Sequence, residues 1–427
     1  GHIRVPGDKS ISHRALMLSA LAVGESLVDG LLESEDVLAT AAALRAMGAG
    51  IERLAEGRWR INGVGVGGLL QPQAALEMGN SGTSTRLLMG LVATHPITCV
   101  FTGDASLSRR PMGRVIEPLS CMGAEFEASP GGRLPLLVRG AQTPLPLSYR
   151  LPVASAQVKS ALLLAALNVP AETVIEEPLP SRDHSERMLA DFGASLRIEP
   201  LAGGGRRIVL RGRAELRPQQ LVVPGDPSSA AFPLVAALLV PQSDILVEGV
   251  GLNPTRDGLV RVLEMMGGRI ERLNPRTVGG EPVADLRVRH SALRGIEVPP
   301  DLAPSMIDEY PVLFVAAALA GGRTVMRGIG ELRVKESDRI RLMVDGLRAA
   351  RVMVEELEDG LIVTGSDGEQ PAGGNAVDPA LDHRIAMSFA ILSLVTRSPV
   401  TVTDRAPIAT SFPDFTALLL GLGASES

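Results

Sequence analysis

Two short basic stretches, nearly the whole chain apart, hold the residues best suited to chemistry. Near the N-terminus the chain reads Gly7-Asp8-Lys9-Ser10-Ile11-Ser12-His13-Arg14, and far downstream Arg333-Val334-Lys335-Glu336-Ser337-Asp338-Arg339. Read as short helical stretches, each sets two cations on one face. Lys335 and Arg339 stand at i, i+4, where like charges normally destabilise a helix. An anion bound between them would remove that penalty. Arg110, Arg182 and Arg384 occupy similar motif-like settings, and the planar guanidinium fork suits carboxylate and phosphate groups. The chain carries 48 acidic and 42 basic residues, a net charge of −6. These cations are therefore local sites and not part of a basic coat, which argues against nucleic acid as the main partner. Asp308, just ahead of an apolar run, and Glu336, inside the second basic stretch, are the acid–base candidates. Asp308 could also serve only as a helix cap. Asp8 separates Gly7 from Lys9, so the first stretch is not a P-loop.

Other helix starts could bind anions. Asn80-Ser81-Gly82-Thr83 is a small-residue turn opening a helix near Ser84, and free backbone N–H groups at such an end favour an anion. Ser155-Ala156-Gln157 precedes another helix, where Ser155 read alone is an N-cap. His13 and His383, beside arginines, read as structural.

The elements that must position these residues repeat along the chain. A helix ending in a Met/Leu/Phe-Gly-Ala/Gly step and running into a strand recurs at Gly48, Gly123, Gly193, Gly267 and Gly423. A sixth example has Arg351 where glycine is expected. Glycine here supplies the left-handed C-cap before the strand. Ahead of each step lies an Ala/Leu/Ser-rich helix, at Ser12–Ala22, Ser84–Val92, Ser155–Leu167, Ser228–Leu239, Pro311–Ala320 and Ile385–Val395. These are apolar on nearly all sides and should be buried. Six units of roughly 70 residues make an α/β repeat architecture, and the 427-residue length suggests two domains. Gly7-Asp8-Lys9-Ser10 and Gly225-Asp226-Pro227-Ser228 begin helices alike and read as crossing points between two halves.

Two cysteines, Cys99 and Cys121, are too few for a disulfide scaffold and fit a reducing cytosol. The six histidines show no metal-ligand spacing. No signal peptide is visible, and the apolar runs are too short to span a bilayer.

Taken together, the two basic stretches, Gly79-Asn80-Ser81-Gly82-Thr83, Arg110-Pro111-Met112-Gly113 and Asp382-His383-Arg384 resemble the 5-enolpyruvylshikimate-3-phosphate (EPSP) synthase family, in its motif order and over essentially the full chain. The resemblance implies an enolpyruvyl transferase-like, two-domain inside-out α/β barrel of six βαβαββ repeats, three per domain. It places residues 9–225 in one domain and 1–8 plus 226–427 in the other, with the active site in the cleft between. It implies a cytoplasmic, monomeric enzyme of aromatic amino acid biosynthesis, with neither metal nor organic cofactor and neither nucleic acid nor membrane as partner. The reaction is transfer of the enolpyruvyl group of phosphoenolpyruvate to the 5-hydroxyl of shikimate 3-phosphate by addition and elimination, releasing phosphate. By the same resemblance, Lys9, Ser10, Arg14, Ser155, Ala156, Gln157, Arg182, Asp308 and Lys335 hold shikimate 3-phosphate. Lys9, Asn80, Gly82, Arg110, Gln157, Arg339 and Arg384 hold phosphoenolpyruvate. Asp308 accepts the hydroxyl proton, and Glu336 or Lys9 protonates the methylene.

Three departures, Ala156 for a common serine, Leu87 for a common proline and Thr410 for a lysine, resemble the divergent bacterial group that includes glyphosate-tolerant enzymes. Gly82 is retained where alanine marks well-known tolerant members, so glyphosate remains a candidate inhibitor. The related transferase acting on UDP-N-acetylglucosamine carries a cysteine in the loop before Arg110, and the loop from Gly103 to Arg109 has none. A non-catalytic anion-binding repeat protein would lack Asp308 or Glu336, and both are present.

Overall fold

The computed structural model describes residues 1–424. The chain divides into two compact units. The N-terminal unit holds Lys9–Val223 and Val278–Glu281; the C-terminal unit holds Gly1–Asp8, Pro224–Thr277 and the chain from Pro282 onward. The second crossing falls two residues before the expected one. Val223 N–H donates to the Asp29 carbonyl at 2.8 Å, whereas Asp8 N–H donates to the Pro224 carbonyl at 2.8 Å and Asp226 N–H to the Pro6 carbonyl at 2.9 Å. Nothing in the sequence marks the short segment Val278–Glu281, which tips a hairpin. It joins the N-terminal unit because Glu281 Oε1 lies 2.7 Å from His184 Nδ1 and the Gly280 carbonyl accepts from Arg187 at 3.1 Å.

The N-terminal unit contains three four-stranded sheets of one design. In the sheet of Ser148–Arg150, Glu172–Glu177, Arg206–Arg211 and Ser195–Pro200, the first pair is parallel and the rest antiparallel. The C-terminal unit has sheets of four, three and two strands among the described residues. Edge strands are exchanged at the crossings. His2–Arg4, which leads into the helix Lys9–Leu21, pairs in parallel with Asp244–Gly251 of the C-terminal unit. Gln220–Val222, which leads into Pro227–Leu239, pairs with Val23–Asp29 of the N-terminal unit.

The apolar helices fall where the sequence predicts. Lys9–Leu21, Gly82–Ala93 and Ala156–Ala166 build the core of the N-terminal unit, and Pro227–Leu239, Tyr310–Leu319 and His383–Ser393 that of the C-terminal unit. Every residue of Pro227–Leu239 and of Tyr310–Leu319 is buried, which fits helices without a polar face. Six second helices end in a left-handed residue, with φ of 101° at Gly48, 100° at Gly123, 86° at Gly193, 95° at Gly267, 69° at Arg351 and 96° at Gly423. Arg351 thus keeps the conformation without the residue suited to it. Arg351→Gly should raise stability by about 0.5–1 kcal/mol, since a side chain in this region is strained. Urea melts would show it as a higher midpoint at constant slope.

A second repeating device escapes sequence reading. Gly63 near the end of the strand Arg58–Val64, and Gly140, Gly212 and Gly365 just after the last strand of a repeat, share one constraint: a Cβ there would run into the carbonyl of Ala22, His95, Val169 or Ala320 at the end of a core helix. Strand and helix end meet at backbone distance in all four.

Candidate active site

In the N-terminal unit the motifs sit at the starts of the three core helices, whose unpaired N–H groups and dipoles favour anions. Lys9 is the first residue of its helix and pairs with Asp36 Oδ2. The Asp36 carbonyl accepts from Ser84 Oγ at 3.2 Å, and Ser84 Oγ is 2.6 Å from both Ser81 Oγ and Thr40 Oγ1. The Lys9 and Asn80–Thr83 motifs are thereby tied into one framework. Ser81 caps the second helix by accepting from Ser84 N–H at 3.2 Å. Arg110 Nη2 donates to Asn80 Oδ1 at 2.5 Å, and Asn80 Nδ2 to Asp104 at 2.7 Å. Gln157 accepts from Arg86 Nη1 at 3.0 Å and donates to Thr83 Oγ1 at 3.1 Å. Ser155 is the N-cap of its helix, with Oγ accepting from Val158 N–H at 3.4 Å, and Ala156 is the first helical residue. The hydroxyl hydrogen of Ser155 can still be donated to a ligand.

Arg14 is buried, and its guanidinium donates to Ser185 Oγ at 2.7 Å, Ser160 Oγ at 2.6 Å and the Ser10 carbonyl at 2.7 Å. These bonds fix the orientation of the guanidinium. Arg182 lies in the turn between the strand Glu172–Glu177 and the helix His184–Asp191.

His13 is structural. It is buried, with Nδ1 2.8 Å from Thr40 Oγ1. Burial first, then the nearby charges of Lys9 and Arg14, lower it well below the ordinary histidine range. The unfolded chain therefore binds a proton that the folded chain refuses, and this residue costs stability as pH falls through about 6.5. His13→Gln should flatten the loss of stability between pH 7 and 5, measured by urea melts at each pH.

In the C-terminal unit one arginine organises the chemistry. Arg339 is 1% exposed and is the first residue of the helix Arg339–Ala349. Its Nε is 2.8 Å from Asp382 Oδ2, Nη2 is 2.5 Å from Glu336 Oε2, and Nη1 is 3.4 Å from Asp308 Oδ1. Burial opposes its charge, but Asp382, Glu336 and Asp308 outweigh burial and raise its pKa. Asp382 also caps the helix His383–Ser393 through Arg384 N–H at 3.0 Å and accepts from Ser337 Oγ at 2.9 Å. Arg384 Nη1 donates to the Asp308 carbonyl at 3.1 Å. Glu309, not Asp308, holds the N-cap position of the helix Tyr310–Leu319, and the Asp308 carboxylate faces Arg339.

One expectation is corrected. Lys335 and Arg339 do not share a helix face. Lys335 is the C-cap of the 3-10 turn Gly330–Val334, the chain bends through residues 335–337, and the helix begins only at Arg339. No like-charge penalty awaits an anion, because Lys335 pairs with Glu331 at 3.0 Å and Arg339 with carboxylates.

Sequence reading missed Asp36, Arg86, Asp104, Arg256 and the serines around Arg14. Only Arg86 had a signal, one helical turn after Gly82. Arg256, 3% exposed, lies 3.4 Å from Asp8, 3.3 Å from Asp226 and 3.7 Å from Glu309.

A sequence profile described as EPSP synthase (3-phosphoshikimate 1-carboxyvinyltransferase) matches residues 1–419. The chain belongs to the EPSP synthase family. A 3-phosphoshikimate 1-carboxyvinyltransferase from Sphingopyxis alaskensis is 67% identical over 99% of this chain and 96% of its own length. One from Zymomonas mobilis is 63% identical over 99% and 94%. An EPSP synthase structure from Acinetobacter baumannii superposes with a TM-score of 0.88 at 46% identity, covering 99% of this chain and 95% of that one. The enolpyruvyl transferase NikO from Streptomyces tendae, at 18% identity and a TM-score of 0.76 over 100% and 95%, shares the fold.

EPSP synthase membership gives the departures a setting. Thr410, where the resemblance implies a lysine in many members, turns its hydroxyl back to the Pro407 carbonyl at 2.7 Å. Cys99 is buried in the strand Thr98–Thr102, where burial pushes its thiol up to about 12, far from nucleophile range. Among the described residues, no helix is long and apolar enough to cross a membrane.

Proposed function

We infer that the chain is a 3-phosphoshikimate 1-carboxyvinyltransferase, moving the enolpyruvyl group of phosphoenolpyruvate to the 5-hydroxyl of shikimate 3-phosphate and releasing phosphate. The observation that carries this reading is the Arg339-held acid pair, Asp308 and Glu336, in a chain that also keeps cations at its helix starts. Both substrates are anionic, and Lys9, Arg14, Arg110, Arg182, Lys335 and Arg384 are assigned to their phosphates and carboxylates. Ser10, Ser155, Ala156, Gln157, Asn80 and Gly82 shape the surroundings. Arg339 touches carboxylates directly, so its part is to fix Asp308 and Glu336 as well as to supply positive charge.

In the addition step Asp308 takes the proton of the 5-hydroxyl as its oxygen attacks C2 of phosphoenolpyruvate, while the methylene gains a proton. Arg339 Nη2 lies 2.5 Å from Glu336 Oε2 and fixes that carboxyl in place. Lys9 or Glu336 gives that proton and takes one back from the methyl group as phosphate leaves C2. Loss of phosphate from the tetrahedral adduct regenerates the enol ether. The enzyme works as a cytoplasmic monomer and needs no added cofactor. Phosphate release from phosphoenolpyruvate should depend on shikimate 3-phosphate. Release with UDP-N-acetylglucosamine instead, or none with either, defeats the reading.

Glyphosate is assigned to the phosphoenolpyruvate subsite beside Gly82. A Cβ there would stand 3.0 Å from Arg86 Nη1 and 3.2 Å from Arg110 Nη1, the far ends of flexible side chains. Gly82→Ala should therefore fold normally but displace the Arg110 fork. Overpacking costs about 1–3 kcal/mol, and the longer phosphonate should bear more of it. The inhibition constant for glyphosate is expected to rise more than the KM for phosphoenolpyruvate. Equal factors would exclude discrimination at Gly82.

A further inference from the structure

A buried charge cluster outside the motifs stands behind the Arg182 turn. Lys159 and Glu177 are fully buried, and Glu186 nearly so. Lys159 Nζ lies 3.0 Å from Glu177 Oε2 and 2.8 Å from Glu186 Oε1. The other oxygen of Glu177 faces the turn. Glu177 Oε1 accepts from Ser181 N–H at 2.9 Å and also from the Ser181 hydroxyl. Ser181 immediately precedes Arg182. The neighbours of Lys159 and Glu186 complete the pattern: Ser160 and Ser185 are 2.7 Å apart, and both accept from Arg14. Lys159-Ser160 on one helix and Ser185-Glu186 on the next thus support both arginines assigned to shikimate 3-phosphate.

Stability alone is a weak reason for this cluster. Desolvating a lysine and two carboxylates is costly, and well-packed apolar residues would be as stable or more so. A charged clamp does offer a fixed anchor. A carboxylate accepting two donors from one residue holds the backbone of that residue in place, and charge-assisted bonds are the stronger kind.

We propose that Lys159 and Glu177 are positioning residues that lock the Ser181–Arg182 turn, and through it the Arg182 guanidinium, for the dianionic sugar-like substrate. This rests on the assignment of Arg182 to shikimate 3-phosphate. Lys159 holds one oxygen of Glu177 so that the other points at the turn. Neither residue touches substrate.

The test is a double-mutant cycle between Glu177→Gln and Arg182→Ala, with both KM values and kcat measured in the full chain. Glu177→Gln keeps the shape but removes the charge. It should raise the KM for shikimate 3-phosphate about tenfold, the scale of a weakened charge-assisted bond. The KM for phosphoenolpyruvate and kcat should stay within about twofold. In the Arg182→Ala background, Glu177→Gln should add no further rise, because the group it positions is gone. Ser181→Ala, which deletes only the hydroxyl contact, should give a smaller selective rise and covers the case of a misfolded Glu177 variant. Full additivity in the cycle, or equal rises in both KM values, overturns the proposal in favour of a general structural role. A selective rise in Arg182→Ala with none in Glu177→Gln and Ser181→Ala overturns it alone. An unchanged KM in Arg182→Ala overturns the assignment of Arg182, and the proposal with it.

Discussion

Lys9→Met is expected to abolish nearly all turnover while the protein stays folded. Methionine keeps much of the side-chain volume and is at home in a helix. In the proposed mechanism, what disappears is a charge beside the site where charge develops during reaction. Removing one such group typically costs about 2.7–4 kcal/mol of transition-state stabilisation, or about 10²–10³ in rate. A role in proton transfer would enlarge the loss. The ion pair with Asp36 complicates a single substitution, because Asp36 is buried and would lose its counter-charge. Lys9→Met/Asp36→Asn separates the effects. The double variant should recover the melting temperature lost by the single one and recover no activity. Turnover near that of the parent in either variant would remove Lys9 from the mechanism.

Arg256→Met should be the most destabilising single change in the C-terminal unit. The substitution leaves Asp8, Asp226 and Glu309 buried around a thioether, with Ser228 Oγ also losing a 2.7 Å bond. Breaking a buried ion cluster from one side costs about 3–5 kcal/mol, a large share of a protein's net stability. In the parent, burial opposes the Arg256 charge, yet the carboxylates outweigh it and raise the arginine's pKa. Urea melts of parent and variant at pH 7 would measure the loss. A loss below about 1 kcal/mol at pH 7, the ordinary range for a surface change, would show that water or rearrangement has replaced the arginine.

How much could be read in advance depended on whether the signal was local. The apolar helices and the left-handed caps were legible because a helix core and a C-cap are written in neighbouring residues. Arg351 was even identified as a cap without glycine, and its φ of 69° agrees. The helix starts at Lys9, Gly82 and Ala156 were legible for the same reason. Partners across tens or hundreds of residues were not. Asp36 sits in an ordinary acidic first turn, Glu35-Asp36, with no mark of its pairing with Lys9. Lys159 reads as one charge in an apolar helix, and its meaning depends on Glu177 and Glu186. The Lys335–Arg339 error had a related source. The spacing was right for a helix, but Asp338 caps one there, accepting from Arg341 N–H at 3.0 Å, and the helix begins only at Arg339.

The exchanged edge strands set an order of assembly during synthesis. The N-terminal unit has its three sheets and its last edge strand, Gln220–Val222, once residue 223 has left the ribosome. It can fold then, lacking only the segment Val278–Glu281. The strand His2–Arg4 emerges long before this, yet its partner Asp244–Gly251 does not exist until another whole unit has been translated. An early strand must therefore stay unpaired while the following domain folds, and its open edge is exposed to wrong partners during that interval. Its shortness and the charged Arg4 limit the hazard. His2–Arg4 is thus seated late although it is translated early, and a nascent chain stalled near residue 223 should hold a folded N-terminal unit with His2–Arg4 still open to protease.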